Sequence, residues 1–161
     1  MPKIEHRVTP FLWFNGQAEE AAKLYCSIFP NSRINSVVPY PEGSPAPAGT
    51  PMVITFDLDG QPFVALNGGP QYTFSPATSF SVLCENQDEI DNFWVKLTDG
   101  GKEVQCGWCE DKFGVTWQIV PYNIGELFGG DDPARANRVS MAMMPMVKLD
   151  MNALQAAYDG V

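Results

Sequence analysis

Apolar and polar residues fall into two rhythms along this 161-residue chain, and the rhythms follow one another in the same order twice. Arg7 to Phe14 is rich in β-branched and aromatic residues and predicts a strand. Asn15-Gly16 breaks it. Ala18, Ala21, Ala22, Tyr25, Ile28 and Phe29 then recur at helical spacing, which predicts a helix from Gln17 to about Phe29. Pro30-Asn31 stops the helix, and Arg33 to Tyr40 predicts a second strand. Pro39 to Pro51 holds five prolines and little apolar content, so it predicts a loop. Met52 to Leu58 alternates cleanly, Asp59-Gly60 is a strong hairpin signal, and Pro62 to Asn67 predicts the return strand.

The order then restarts. Ser79 to Cys84 predicts a strand. Asn86 with Glu89 three residues on is a capping box. Ile90, Phe93, Trp94 and Leu97 form the helical stripe that follows, and Gly100-Gly101 ends it. Short strands are expected around Lys102–Cys106, Trp108–Lys112 and Val115–Val120. An offset of 69 sets Phe11 against Phe80, Glu20 against Glu89 and Tyr25 against Trp94. The fold class expected is α+β: two βαβββ modules, 7–67 and 78–121, in one domain spanning 1–161, with a helical tail over 122–161. In the tail, Asp132-Pro133 starts a helix, and Asp150 caps a last one carrying Leu154, Ala157 and Tyr158, closed by Gly160. Met141, Met143, Met144 and Met146 either fill the tail's own core or form a subunit interface.

Composition narrows the function classes. Ten basic against 19 acidic side chains give a net charge of −9, which argues against nucleic acid and against an anionic membrane surface. No run approaches a membrane span, and the polar start from Met1 to Thr9 is not a signal peptide. Four cysteines are too few for a disulfide scaffold, so a cytoplasmic protein with reduced thiols is expected. His6 is the single histidine, so sites built on two or three histidines cannot form within one chain.

Several stretches together carry a family resemblance: Phe11-Leu-Trp-Phe-Asn-Gly-Gln-Ala-Glu-Glu-Ala-Ala, Phe29-Pro-Asn-Ser, Ala65-Leu-Asn-Gly-Gly-Pro70, Cys106-Gly-Trp-Cys-Glu-Asp-Lys-Phe-Gly114 and Trp117-Gln-Ile-Val-Pro121. From about residue 8 to 121 the chain resembles the vicinal-oxygen-chelate (glyoxalase/bleomycin-resistance) superfamily. Within it, it resembles the PhnB-like group called 3-demethylubiquinone-9 3-methyltransferase domain proteins. The tail pattern Met146-Val-Lys-Leu-Asp150 is also similar to that group's C-terminus. The resemblance implies curved mixed sheets enclosing a cavity between the modules, and a homodimer. In metal-dependent members it implies up to four His, Glu or Gln ligands from the first and last strands of the modules. Here Val8 to Phe14 and Ser79 to Leu83 hold no His, Asp or Glu, and the family's Glu position falls near Val64 and at Gln118. No metal and no other cofactor is therefore expected. No glycine-rich strand-loop-helix unit of the usual S-adenosylmethionine kind is present either.

Candidate site residues follow. The aromatics Phe11, Trp13, Phe63, Phe80, Trp108 and Trp117 either pack the core or line an apolar pocket with Asn67 and Gln118 as its polar groups. The ligand set expected is Phe11, Trp13, Asn67, Phe80, Cys106, Trp108 and Gln118. Cys106-Gly-Trp-Cys109 has redox spacing without the helix that activates such thiols, so two small residues in a bend are favoured. Cys106 is still the best reactive thiol, because the family motif sets it near the cavity mouth. Asn67-Gly68-Gly69 either offers backbone N–H groups to an anion or simply turns the chain. Asp111 and Lys112 shape the last hairpin, and Glu19 and Glu20 face solvent. Three functions remain: a binder of an apolar or aromatic small molecule; an enzyme on a quinone precursor using Cys106 or Asp111 as acid–base candidates; and an interaction module built on the methionine-rich tail.

Overall fold

The computed structural model describes residues 3–161, which form two compact units, one reaching Thr73 and one beginning at Phe74. The first unit contains β1 (Phe11–Phe14), α1 (Ala18–Ile28), β2 (Arg33–Pro39), β3 (Pro51–Leu58) and β4 (Gln61–Asn67). Its sheet runs β1-β4-β3-β2, with β1 parallel to β4 and the other pairs antiparallel. β1 begins at Phe11 rather than Arg7. Pro10 has no N–H for the ladder, and only its carbonyl joins, accepting from Val64 N at 3.0 Å. Asp59 and Gly60 both take positive φ, 47° and 78°, as the two-residue hairpin turn requires.

Alternation decides what each strand gives to the core. Leu12, Phe14, Ile54, Phe56, Leu58, Phe63, Ala65 and Asn67 are buried on the face that meets Ala18, Ala21, Ala22, Tyr25 and Ile28 of α1. Phe56 stacks on Phe63 at 5.6 Å and lies 6.5 Å from Tyr25. Burying each such side chain contributes about 1.5–3 kcal/mol, so this layer is the first unit's main stabilising element.

The second unit contains β5 (Ser79–Cys84), α2 (Gln87–Thr98), β6 (Lys102–Glu103), β7 (Trp108–Glu110) and β8 (Thr116–Pro121), then α3 (Ile124–Phe128), α4 (Pro133–Met143) and α5 (Met151–Asp159). Its sheet, β5-β8-β7-β6, repeats the first sheet's topology. Asn86 Oδ1 accepts from Glu89 N at 3.0 Å, the cap bond expected, while the Glu89 carboxylate reaches one residue past the cap and accepts from Glu85 N at 2.8 Å. Cys84, Cys109, Trp117 and Ile119 are buried on the α2 side, where Trp94 Nε1 donates to Glu103 Oε1 at 2.6 Å.

The element order is therefore legible in the sequence, but the architecture needs a correction. Curved mixed sheets enclosing a cavity are not what forms. The strands make two separate, open four-stranded sheets, and neither closes on itself: β1 and β2 end one, β5 and β6 end the other. Closure would need a ladder between those end strands, and β6 is only two residues long.

The repeat also carries a slip. The offset of 69 holds in the helices, where Tyr25 and Trp94, and Ile28 and Leu97, are buried alike. In the strands it pairs Phe14, 3% exposed, with Leu83, 58% exposed. An offset of 70 restores the match, setting Phe14 against the buried Cys84. Three residues join β1 to α1 and two join β5 to α2, and a one-residue slip exchanges the two faces of a strand.

The tail supplies its own core of Leu127, Val139, Leu149 and Leu154, which takes in Val120 of β8. Asp132 and Asp150 cap α4 and α5, and Gly160 ends α5 in the left-handed conformation. The tail methionines differ in burial. Met143 and Met146 pack against this core, while Met141 and Met144 are 64% and 63% exposed. No helix among the described residues is long and apolar enough to cross a membrane.

Candidate functional site

Each sheet has a near face, against its module's helix, and a far face. On the first sheet the far face carries Phe11 and Trp13 of β1, Val64 and Leu66 of β4, and Val53, Thr55 and Asp57 of β3. Phe11 is 59% exposed, which is unusual for a phenylalanine within a strand.

Trp13 is fixed there. Its Nε1 donates to the Gly69 carbonyl at 2.9 Å, and its ring meets Tyr72 edge-on at 5.0 Å. Gly68 lies so close beneath the indole that a β-carbon would fall 2.3 Å from Trp13 Cζ2. The Asn67-Gly68-Gly69 run thus does more than turn the chain: it seats an indole. Asn67 holds the run in place from the near face. Its Oδ1 accepts from Ala18 N at 2.9 Å at the start of α1, its Nδ2 donates to Pro51 O at 2.9 Å, and its carbonyl accepts from the Tyr40 hydroxyl. Asn67 therefore positions the site from behind. Sequence reasoning misses Tyr40 and Tyr72. Both reach the site from outside the regular alternation that marks the strand residues.

On the second sheet, register separates the expected ligand residues. Trp108 and Gln118 are partners on the far face, with Ser79 and Ser81 beside them. Gln118 Nε2 donates to Ser79 Oγ at 2.9 Å. Phe80 lies on the near side, 5.5 Å from Trp117. The sequence set thus divides: Phe11, Trp13, Trp108 and Gln118 on far faces, Phe80 and Asn67 on near faces.

Cys106 and Cys109 also part. Cys106 sits in a bend at φ 60°, half-buried, with its Sγ 3.6 Å from the Met143 carbonyl and 3.9 Å from that of Met144. The bend is pinned to the tail, since Cys106 N and Gly107 N donate to the Met146 and Val147 carbonyls at 2.8 and 2.7 Å. Gly107, at φ 81°, admits no side chain: a β-carbon would lie 2.7 Å from the Ile119 carbonyl. Cys109 is fully buried on the α2 side. Burial first, and then the charges of Asp111 and Glu103, push its thiol up to about 12. Asp111 is buried and accepts from Phe113 N, Val115 N and Trp117 Nε1 at 2.9–3.0 Å. It shapes the β7–β8 hairpin, as its place in the sequence suggests.

The donors on the far faces do not fit a divalent cation. Val64 pairs with Phe11 and offers no ligand atom; Gln118 offers one neutral oxygen. The far-face carboxylates, Asp57 and Glu110, are paired with Arg33 at 3.4 Å and Lys102 at 3.2 Å. Among the described residues no group of three or more His, Cys, Asp or Glu side chains could hold a metal ion.

A family described as 3-demethylubiquinone-9 3-methyltransferase matches residues 6–120. A Bacillus cereus structure titled putative 3-demethylubiquinone-9 3-methyltransferase, PhnB protein, is 38% identical, with a TM-score of 0.68 over 72% of this chain and 99% of that one. A Pseudomonas aeruginosa protein is 21% identical, with a TM-score of 0.59 over 71% and 96%. The fosfomycin resistance protein FosX of Mesorhizobium loti, at 10% identity, shares the fold with a TM-score of 0.56 over 77% and 97%. A search of curated proteins finds no match. With the family matching well over half its length, the chain belongs to the 3-demethylubiquinone-9 3-methyltransferase family, the PhnB-like branch of the glyoxalase superfamily.

Proposed function

We propose that the protein binds a small apolar or aromatic molecule on the far face of its first sheet, without a metal ion. The observation that carries this reading is the locked indole of Trp13, presented beside an exposed Phe11. A ring held by a hydrogen bond, an edge contact and a glycine seat has little conformational entropy left to lose on binding. Val53, Val64 and Leu66 extend the surface with side chains only partly covered. The family's description names a demethylubiquinone, and a quinone-like ring is the kind of ligand such a platform suits. On the second sheet, Trp108, Gln118 and Cys106 are the counterpart candidates. The same reading makes the protein a cytoplasmic homodimer, supported by the exposed Met141 and Met144, and native mass spectrometry is expected to give the mass of two chains.

Saturation-transfer NMR with 4-methylphenol tests the ligand surface. Transfer to the ring protons is expected. Phe11→Ser and Trp13→Leu should each weaken binding by about tenfold. Equal binding by Phe11→Ser and the unaltered protein would remove the proposal.

A further inference from the structure

The far face of the first sheet ends in a feature of opposite character. Between the β3–β4 hairpin and the turn before β2 lies a cleft of about 600 Å³, lined by Glu5, His6, Asn31, Ser32, Arg33 and Asp57. None of these residues takes part in the aromatic platform, and the cleft includes the only histidine of the chain.

Its floor is built from two turns fastened to each other. Asn31 and Asp59 hold φ of 49° and 47°, the left-handed region that asparagine and aspartate adopt more readily than other non-glycine residues. Gly60 N donates to the Asn31 carbonyl at 3.3 Å, and Asp59 N donates to Ser32 Oγ at 3.1 Å. The two turns are therefore held together before any ligand arrives.

The charges on this floor are mixed. Arg33 reaches Asp57 only through Nε, at 3.4 Å, and its Nη groups have no hydrogen bond among the described residues. The guanidinium is largely exposed and keeps its two-donor edge available to a carboxylate. Glu5 makes no ion pair among the described residues, and Asp57 has only the long contact to Arg33. A purely anionic ligand would face two carboxylates and a protein of charge −9. A purely cationic one would meet the Arg33 guanidinium. A ligand bearing both charges satisfies both sets and carries no net charge for the protein's −9 to repel.

We propose that this cleft is a second binding site, for a small zwitterion of the α-amino-acid class. Arg33 receives its carboxylate, Glu5 and Asp57 receive its ammonium, and His6 and the Asn31 amide supply further hydrogen bonds. The site is independent of the aromatic platform.

L-Glutamine and its two half-charged relatives provide the test, with amide chemical shifts of the full chain followed by NMR. L-Glutaminamide keeps only the ammonium, and N-acetyl-L-glutamine keeps only the carboxylate. Saturable shifts at Ser32, Asp57 and Gly60 are expected with glutamine, at least about tenfold tighter than with either relative. Arg33→Gln and Asp57→Asn should each weaken glutamine by about tenfold, with unchanged melting temperatures because the pair they break is exposed and long. Trp13→Leu should leave glutamine binding as it was, which separates this site from the platform. Equal binding of the three compounds, or no saturable shift with glutamine, would overturn the proposal.

Discussion

Gly68 is a glycine because Trp13 occupies the space its side chain would need. A β-carbon there would sit 2.3 Å from the indole. Gly68→Ala should therefore lift the ring off the strand, break the bond from Nε1 to the Gly69 carbonyl, and destabilise the fold by about 1–3 kcal/mol. Urea unfolding reads the stability, and the indole N–H proton shift reads the lost bond. A wild-type indole shift in the variant would contradict this account.

Asp111 is the hub of the β7–β8 hairpin, accepting from two backbone amides and the Trp117 indole in a buried position. Asp111→Ala leaves those donors without partners, so a loss of about 2–4 kcal/mol is expected in denaturant unfolding. An unchanged unfolding midpoint would refute this structural role.

The four thiols should react in a fixed order. Burial pushes Cys84 and Cys109 up to about 12, and burial with the nearby Asp57 raises Cys26 as well. At pH 8 a thiol of pKa near 12 is thiolate in only about one molecule in ten thousand. Iodoacetamide followed by peptide mass analysis is expected to find Cys106 labelled first, with Cys84 and Cys109 untouched until the protein is unfolded. Early labelling of Cys109 would show that β7 opens in the native state.

The tail is tied to α2 by an ion pair and an amide. Lys148 Nζ meets Asp91 Oδ1 at 2.6 Å, and its hydrogen bond holds the Asp91 carboxyl below its ordinary 3.8. A lowered carboxyl favours the folded state above the ordinary value, and that contribution disappears as the pH falls through the folded-state value. The melting temperatures of Lys148→Ala and the unaltered protein should therefore differ slightly at pH 6 and converge in strong acid. A gap that widens in acid would reverse the assignment.

Gln87 makes the second tie, donating to the Leu149 carbonyl and accepting from Met151 N. Gln87→Ala should speed amide exchange at the start of α5 and cost about 1–2 kcal/mol. Exchange there at the wild-type rate would mean that the tail is held by its apolar core alone.

Local chemistry makes most of the elements readable from residue order alone. Asp59-Gly60, Asn86 with Glu89, Asp132-Pro133, Asp150 and Gly160 each act within a few residues, and each does in the fold what its type suggests. The short α3 lacks a side-chain cap, and no such signal announces it. The face assignments depend on loop length: one fewer residue before α2 than before α1 turns Phe80 toward the helix and Phe11 away from it. Whether a sheet closes depends on edges far apart in sequence, and no periodicity reports on them. Tyr72 and Tyr40 act across dozens of residues, so only the folded chain brings them to Trp13 and Asn67.

The hydrogen bonds from Cys106 and Gly107 to Met146 and Val147 join the second sheet to the helical tail. The family match stops at residue 120, in the middle of a working joint. A chain cut at that line would leave two backbone donors and the side chain of Val120 facing water. The tail is thus a keystone of the second unit: its sheet leans on residues beyond 120, and the two stand or fall together.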